Sequence, residues 1–111
     1  MASKGLHSYT VQEAQNATMG QAGSVFLDAT GTTFTPTPGR AIVAITFIQD
    51  TSFDVLTPED SAKYFGITGT GYESKGNTVA TADVFPAGLT IYGRWTSVSM
   101  TSAGMIVCYM G

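Results

Sequence analysis

The chain has 111 residues, enough for one domain with its own hydrophobic core and too few for two. Charged residues make up only 12% of it, about half the usual share, and the net charge is −3. The five basic residues, Lys4, Arg40, Lys63, Lys75 and Arg94, are scattered, which argues against a nucleic-acid partner held through its phosphates.

The polarity rests on 17 Thr, 9 Ser and 13 Gly. Thr favours strands, and Gly and Ser favour turns, so the balance leans towards β structure. A surface with few charges loses little on desolvation and suits a subunit packed among neighbours. No apolar run reaches the 18 or so residues that a membrane-spanning helix needs, so no membrane partner is expected. The polar start, Met1 to Gly5, does not read as a signal peptide. Cys108 is the sole cysteine, which excludes an internal disulfide; its apolar surroundings predict a buried, inert thiol.

Residues 1–23 are polar, lack a sustained period and read as an N-terminal arm; residues 24–111 read as one β domain. The first strand is predicted at Ser24 to Asp28. The Pro-rich stretch Thr35 to Gly39 is a loop, because its prolines withhold ladder donors. Arg40 to Ile48 is apolar on both faces, with Ala41, Val43, Ile45 and Phe47 on one and Ile42, Ala44 and Ile48 on the other. That pattern predicts a central or doubly covered strand.

Gln49-Asp50 then predicts a hairpin turn into a strand from Thr51 to Leu56. Thr57-Pro58-Glu59-Asp60 carries helix-start features, a Thr cap, Pro at the first position and two acids, so a short helix ending near Gly66 is expected. A flexible Gly-rich loop follows, then a strand from Thr78 to Val84 and a turn at Phe85 to Gly88. Leu89 to Trp95 alternates, with Leu89, Ile91 and Trp95 inward and Thr90, Tyr92 and Arg94 outward. After a longer hairpin loop at 101–104, Met105 to Met110 is apolar on both faces and must be central or covered. About seven short strands predict an all-β domain: a small antiparallel sandwich or barrel, jelly-roll-like, with one short helix and an N-terminal arm.

Few residues are arranged for catalytic chemistry. His7, the only histidine, lies in the polar arm and reads as a solvated or contact residue, so neither a metal site nor a Ser–His pair is expected. The carboxylates each have a local reason: Asp50 a turn, Glu59 and Asp60 a helix start. The run Gly66 to Tyr72 lacks the Gly-Lys-Ser/Thr ending of a phosphate loop. No catalytic residue, cofactor or metal ligand is assigned, and the chain is read as a non-enzyme.

The C-terminal stretch Phe85-Pro86-Ala87-Gly88-Leu89-Thr90-Ile91-Tyr92-Gly93-Arg94-Trp95-Thr96-Ser97-Val98, followed by Ser102-Ala103-Gly104-Met105-Ile106-Val107-Cys108-Tyr109, resembles the terminal β segment of small virion proteins of tailed bacteriophages, marine and cyanobacterial phages especially. The strand Ala41 to Phe47 sits where such proteins carry an apolar strand, so the resemblance covers about half the chain. It implies a head decoration (cement) subunit in the virion, assembled in the host cytoplasm and forming homo-oligomers, trimers above all. Its partners would be the major capsid protein or other virion subunits. The expected contact residues are His7 and Tyr9 in the arm, Thr35 and Arg40 in the Pro-rich loop, Tyr72 and Lys75 in the Gly-rich loop, and Tyr92 and Arg94 on a strand. The alternative is a receptor- or carbohydrate-binding module of a tail or fibre, which would use an exposed Tyr72 or Tyr92 platform; a small hydrolase is the third reading.

Overall fold

A computed structural model describes residues 22–101 and 104–111. The arm residues His7 and Tyr9, and most of the arm with them, lie outside the described residues. Five strands form one antiparallel sheet: β1 Ser24–Leu27, β2 Ile42–Phe47, β3 Phe53–Pro58, β4 Thr90–Met100 and β5 Ile106–Met110, in the order β1-β5-β2-β4-β3. The expected all-β antiparallel class is what the chain adopts. β2 and β5, the two segments apolar on both faces, take interior places in the sheet, as their composition requires.

β4 is the organising element. Its first half, Thr90 to Trp95, pairs with β2, and its second half, Trp95 to Met100, pairs with β3. β2 ends beside the start of β4, whereas β3 begins beside its end. A straight strand from Thr90 to Met100 would separate those points by roughly 33 Å. The link from Phe47 to Phe53 can span only about 20 Å, yet the two rings sit 5.7 Å apart edge to face. β4 must therefore bend. Register shifts between Ile42 and Ala44 and between Thr57 and Pro58 both fall opposite residues 92–97 of β4, and bulges of this kind turn a strand. The strand thus crosses from one face of the core to the other, as strands do at the corners of orthogonal packings. On the outer side of its second half, Phe34 exchanges two backbone bonds with Val98, at 2.8 and 3.0 Å.

Trp95 sits at the bend, fully buried, opposite Ile42 on one side and Pro58 on the other. Its indole packs against Gly93, where a Cβ would come within 2.9 Å of two ring atoms. The Nε1–H donates to the Phe65 carbonyl at 2.8 Å, and the Phe65 ring stands edge-on to the indole at 5.5 Å. Ile42, Ile45, Leu56, Val98, Met100 and Ile106 belong to the same core cluster. A second aromatic group, Phe47 stacked on Phe85 at 5.1 Å with Phe53 against both, closes the far end. The β2 bulge explains why Ile42 and Ile45 share the core at an odd spacing: one extra residue resets the alternation, so the face assignment made without it fails at Ile42.

Four local expectations are corrected. β2 and β3 form no hairpin, because β4 lies between them. The expected short helix at Thr57 is absent: β3 continues through Pro58, and Asp60 instead closes a single turn, its carbonyl accepting from Tyr64 N–H at 2.9 Å and its Oδ1 from Ala62 N–H at 3.0 Å. The helix-start residues serve as strand end and turn, since Thr57 and Pro58 remain opposite Ser97 and Trp95. The one helical turn among the described residues is a 3-10 turn at Tyr72–Ser74. Residues 78–84 form no strand; Asp83 there folds back on Ala80, accepting from its N–H at 2.8 Å. The turn after them falls one residue later than expected, over Pro86–Leu89, with Gly88 at φ 90° in the position that favours glycine.

Cys108 points into the core from β5, unpaired and buried, as its setting implied. Burial pushes its thiol up to about 12 from an ordinary 9.0. The protonated thiol therefore favours the folded chain fully below pH 9, and that benefit is lost as the pH rises from 9 towards 12. A thiol reagent such as iodoacetamide should leave native Cys108 unmodified at pH 8 and label it fully in denaturant; rapid native labelling, read by intact mass, would contradict the buried placement.

Candidate interaction surface

The sheet registers place side chains in cross-strand rows, and the outer face of the first half-sheet carries two. One row runs Ser24, Tyr109, Ala44, Tyr92; the next runs Phe26, Val107, Thr46, Thr90. Each residue alternates with one that packs on the core, such as Val25, Ile45, Ile91 or Cys108, and so faces outward. None of the eight is charged. Thr46 and Thr90 share a hydroxyl–hydroxyl bond of 3.0 Å across the strands. Ala44, between the two tyrosines, is only 1% exposed, whereas Tyr92 is 60% and Phe26 54% exposed. The result is an uncharged surface of aromatic rings, methyl groups and hydroxyls, with exposed aromatics of the kind enriched at protein interfaces.

Of the expected contact residues that are described, Tyr92 alone belongs to this face. No protein-family model, curated protein or solved structure matches the chain. Its own geometry therefore carries the functional reading.

Arg94 lies two residues from Tyr92 but is committed elsewhere. Its Nε–H donates to Glu59 Oε1 at 2.8 Å and its Nη2–H to Oε2 at 3.3 Å, while Glu59 N–H donates to the Arg94 carbonyl at 2.9 Å. The guanidinium's hydrogen bonds hold the Glu59 carboxyl below its ordinary 4.5 and raise Arg94 above its own usual value. The pair favours the fold above pH 4.5, and its contribution is lost as acidification passes the lowered value. It ties the end of β3 to the bend of β4.

Thr35 and Arg40 are exposed and line one shallow cleft of about 310 Å³ with Ala22, Pro36, Pro38 and Met110. Tyr72 and Lys75 sit at the tip of the Gly-rich segment, with Tyr72 71% exposed and Lys75 Nζ 3.1 Å from Glu73. That segment is held firmly: Ile67 N–H donates to Leu56, Thr70 and Gly71 N–H to Ser61, and Val79 N–H to Gly66. Gly66 and Gly69 allow close approach, since a Cβ at either would come within 2.8 Å of the Pro58 ring. The expectation of a flexible loop gives way to a braced one with glycines where backbones touch.

The remaining carboxylates mostly have structural partners. Asp50 Oδ1 accepts from Ala87 N–H at 2.9 Å, bracing the turn before β4. Among the described residues no cluster of three or more His, Cys, Asp or Glu side chains could hold a metal. Sequence reasoning placed Thr90 beside Tyr92 on the outer side of its strand but missed Ser24, Phe26, Ala44, Thr46, Val107 and Tyr109 as members of the surface. Their shared face depends on which strands are neighbours, and strand order has no local signal.

Proposed function

We propose that the chain is a virion assembly subunit of the head-decoration type, acting through contact surfaces and not through chemistry. The observation that supports this reading is the charge-free outer face centred on Tyr109, Ala44 and Tyr92. Exposed Tyr and Phe on a sheet face supply a large contact area at small entropic cost, and none of the eight side chains there carries a charge that has to be desolvated. On a symmetric shell, a modest contact repeated over many copies sums to a large stabilisation. The braced Tyr72 tip and the Thr35–Arg40 cleft offer further contacts at other sites on the molecule.

The capsid protein is the partner this reading names, within a homo-oligomeric or lattice arrangement. The test is to purify particles from cells infected by the phage that carries the gene, and to reconstruct them by electron cryomicroscopy. The expected result is density for this fold at a fixed stoichiometry on the head. Its recovery only in the free fraction would overturn the reading, and density on a tail fibre would favour the carbohydrate- or receptor-binding alternative.

A further inference from the structure

The two edges of the sheet are treated differently. The β3 edge is blocked. The Ile67 N–H already bonds the Leu56 carbonyl, Pro58 has no N–H to offer, and a register shift beside exposed Asp54 breaks the ladder. The β1 edge has none of these devices: Ser24-Val25-Phe26-Leu27 contains no charge, proline or bulge. The Met110 N–H donates to the Gly23 carbonyl at 2.9 Å, so by antiparallel alternation residues 23, 25 and 27 bond β5. The N–H and C=O of Ser24, Phe26 and Asp28 then point away from the sheet, and among the described residues no strand pairs with them.

The core is also incomplete there. Val25 and Leu27 face inward yet stay half-exposed, whereas the inward residues of β5 and β2 are buried. An apolar cleft of about 220 Å³ opens beside them, lined by Phe26, Leu27, Phe34 and Met100 among others.

We infer that the β1 edge pairs with the β1 edge of a second copy, antiparallel across a two-fold axis, making one continuous sheet. Self-pairing through a closed ring of three is barred, because a head-to-tail ring needs both edges and the β3 edge is blocked. The register follows from two constraints. Inward residues must lie opposite inward ones, and outward-bonding residues opposite outward-bonding ones. Setting Phe26 opposite its own copy meets both over the whole strand. Val25 then faces Leu27 of the second copy, extending the apolar interior, and Asp28 faces Ser24, so that no two carboxylates meet. The inference does not depend on the virion reading.

A contact of this length is small beside the ~1,200 Å² that stable interfaces bury, so the measurement belongs at high concentration. Sedimentation equilibrium of the full chain at about 0.5 mM should show a two-chain species that dissociates on dilution. Phe26→Lys should give a single chain with unchanged circular dichroism. Amide exchange supplies the signature: Val25 and Leu27 slow in both proteins, Ser24 and Phe26 slow only in the pair. Should Phe26→Lys fail to fold, Ser24→Asp tests the register, and like charge against Asp28 should weaken association by about threefold or more. A single-chain wild type at this concentration would overturn the inference. So would association that survives Phe26→Lys or Ser24→Asp, or slow Ser24 and Phe26 amides in the single-chain protein, which would place part of the same chain on that edge.

Discussion

Trp95→Ala should lower stability by about 3–5 kcal/mol, near the upper end for a single core substitution, and should lower Tm by roughly 15–25 °C. Trp95 is the largest fully buried side chain, and its loss removes three things together. The indole that covers Gly93 goes, leaving a void at the bend of β4. The edge-to-face contact with Phe65 goes. The part-buried Phe65 carbonyl loses its donor, a net hydrogen bond of about 1 kcal/mol. Total stability for a domain of this size is about 5–15 kcal/mol, so the variant approaches the unfolding threshold. Trp95→Phe keeps a ring over Gly93 but not the N–H, and should fall between the two. Amide exchange adds a spatial check: the Ile67 and Val79 amides, which bond to Leu56 and Gly66, should exchange faster in both variants because Phe65 anchors that segment to the bend. A loss near the ~0.5 kcal/mol of ordinary surface changes would mean that the backbone bulges alone hold the bend.

The same residue shows what was legible in the sequence. Trp95 as core, β2 and β5 as interior strands and Cys108 as a buried thiol all follow from local hydrophobic pattern, because burial on both faces leaves an apolar run that needs no knowledge of neighbours. The all-β class follows from the Thr and Gly content in the same way. The missing information is long-range. That β4 continues through Thr96 and Ser97, pairs with two different strands and bends between them depends on contacts far apart in the chain. The Thr57-Pro58-Glu59 signal was outweighed by such contacts: Thr57 and Pro58 pair with β4, and Glu59 reaches Arg94. A bulge in β2 is equally silent in the sequence, yet it decides which of Ile42 and Val43 enters the core. Tyr92 stands out in the sequence by residue type and alternation. Its neighbours on the face, Ala44 and Tyr109, come from segments about 48 and 17 residues away and join it only through strand order.

On the assembly reading proposed above, Tyr92→Asp should abolish binding to particles while leaving the fold intact. The side chain is largely exposed and outside the core, so the stability change should stay within about 0.5 kcal/mol. On the face, however, the carboxylate would stand among Ala44, Tyr109, Thr46 and Thr90, none of them a cation, and Arg94, two residues along β4, already holds Glu59. Burying it against a capsid surface then costs its desolvation with nothing in return, and the aromatic contact is lost as well. Removal of a central aromatic of this kind costs at least about 2 kcal/mol, or roughly thirtyfold in affinity, per contact. Multiplied over a lattice, that leaves no measurable occupancy on particles stripped of the protein and mixed with the variant. Tyr92→Phe separates contact area from hydroxyl bonding: near wild-type occupancy is expected if the ring supplies the contact. Tyr72→Ala, at the braced tip, is the comparison. If it strips the particles while Tyr92→Asp still binds, the working surface is the Gly-rich tip and the sheet face is idle. If both variants bind particles normally but Tyr92→Phe loses a soluble glycan, the carbohydrate reading gains the ground that the assembly reading gives up.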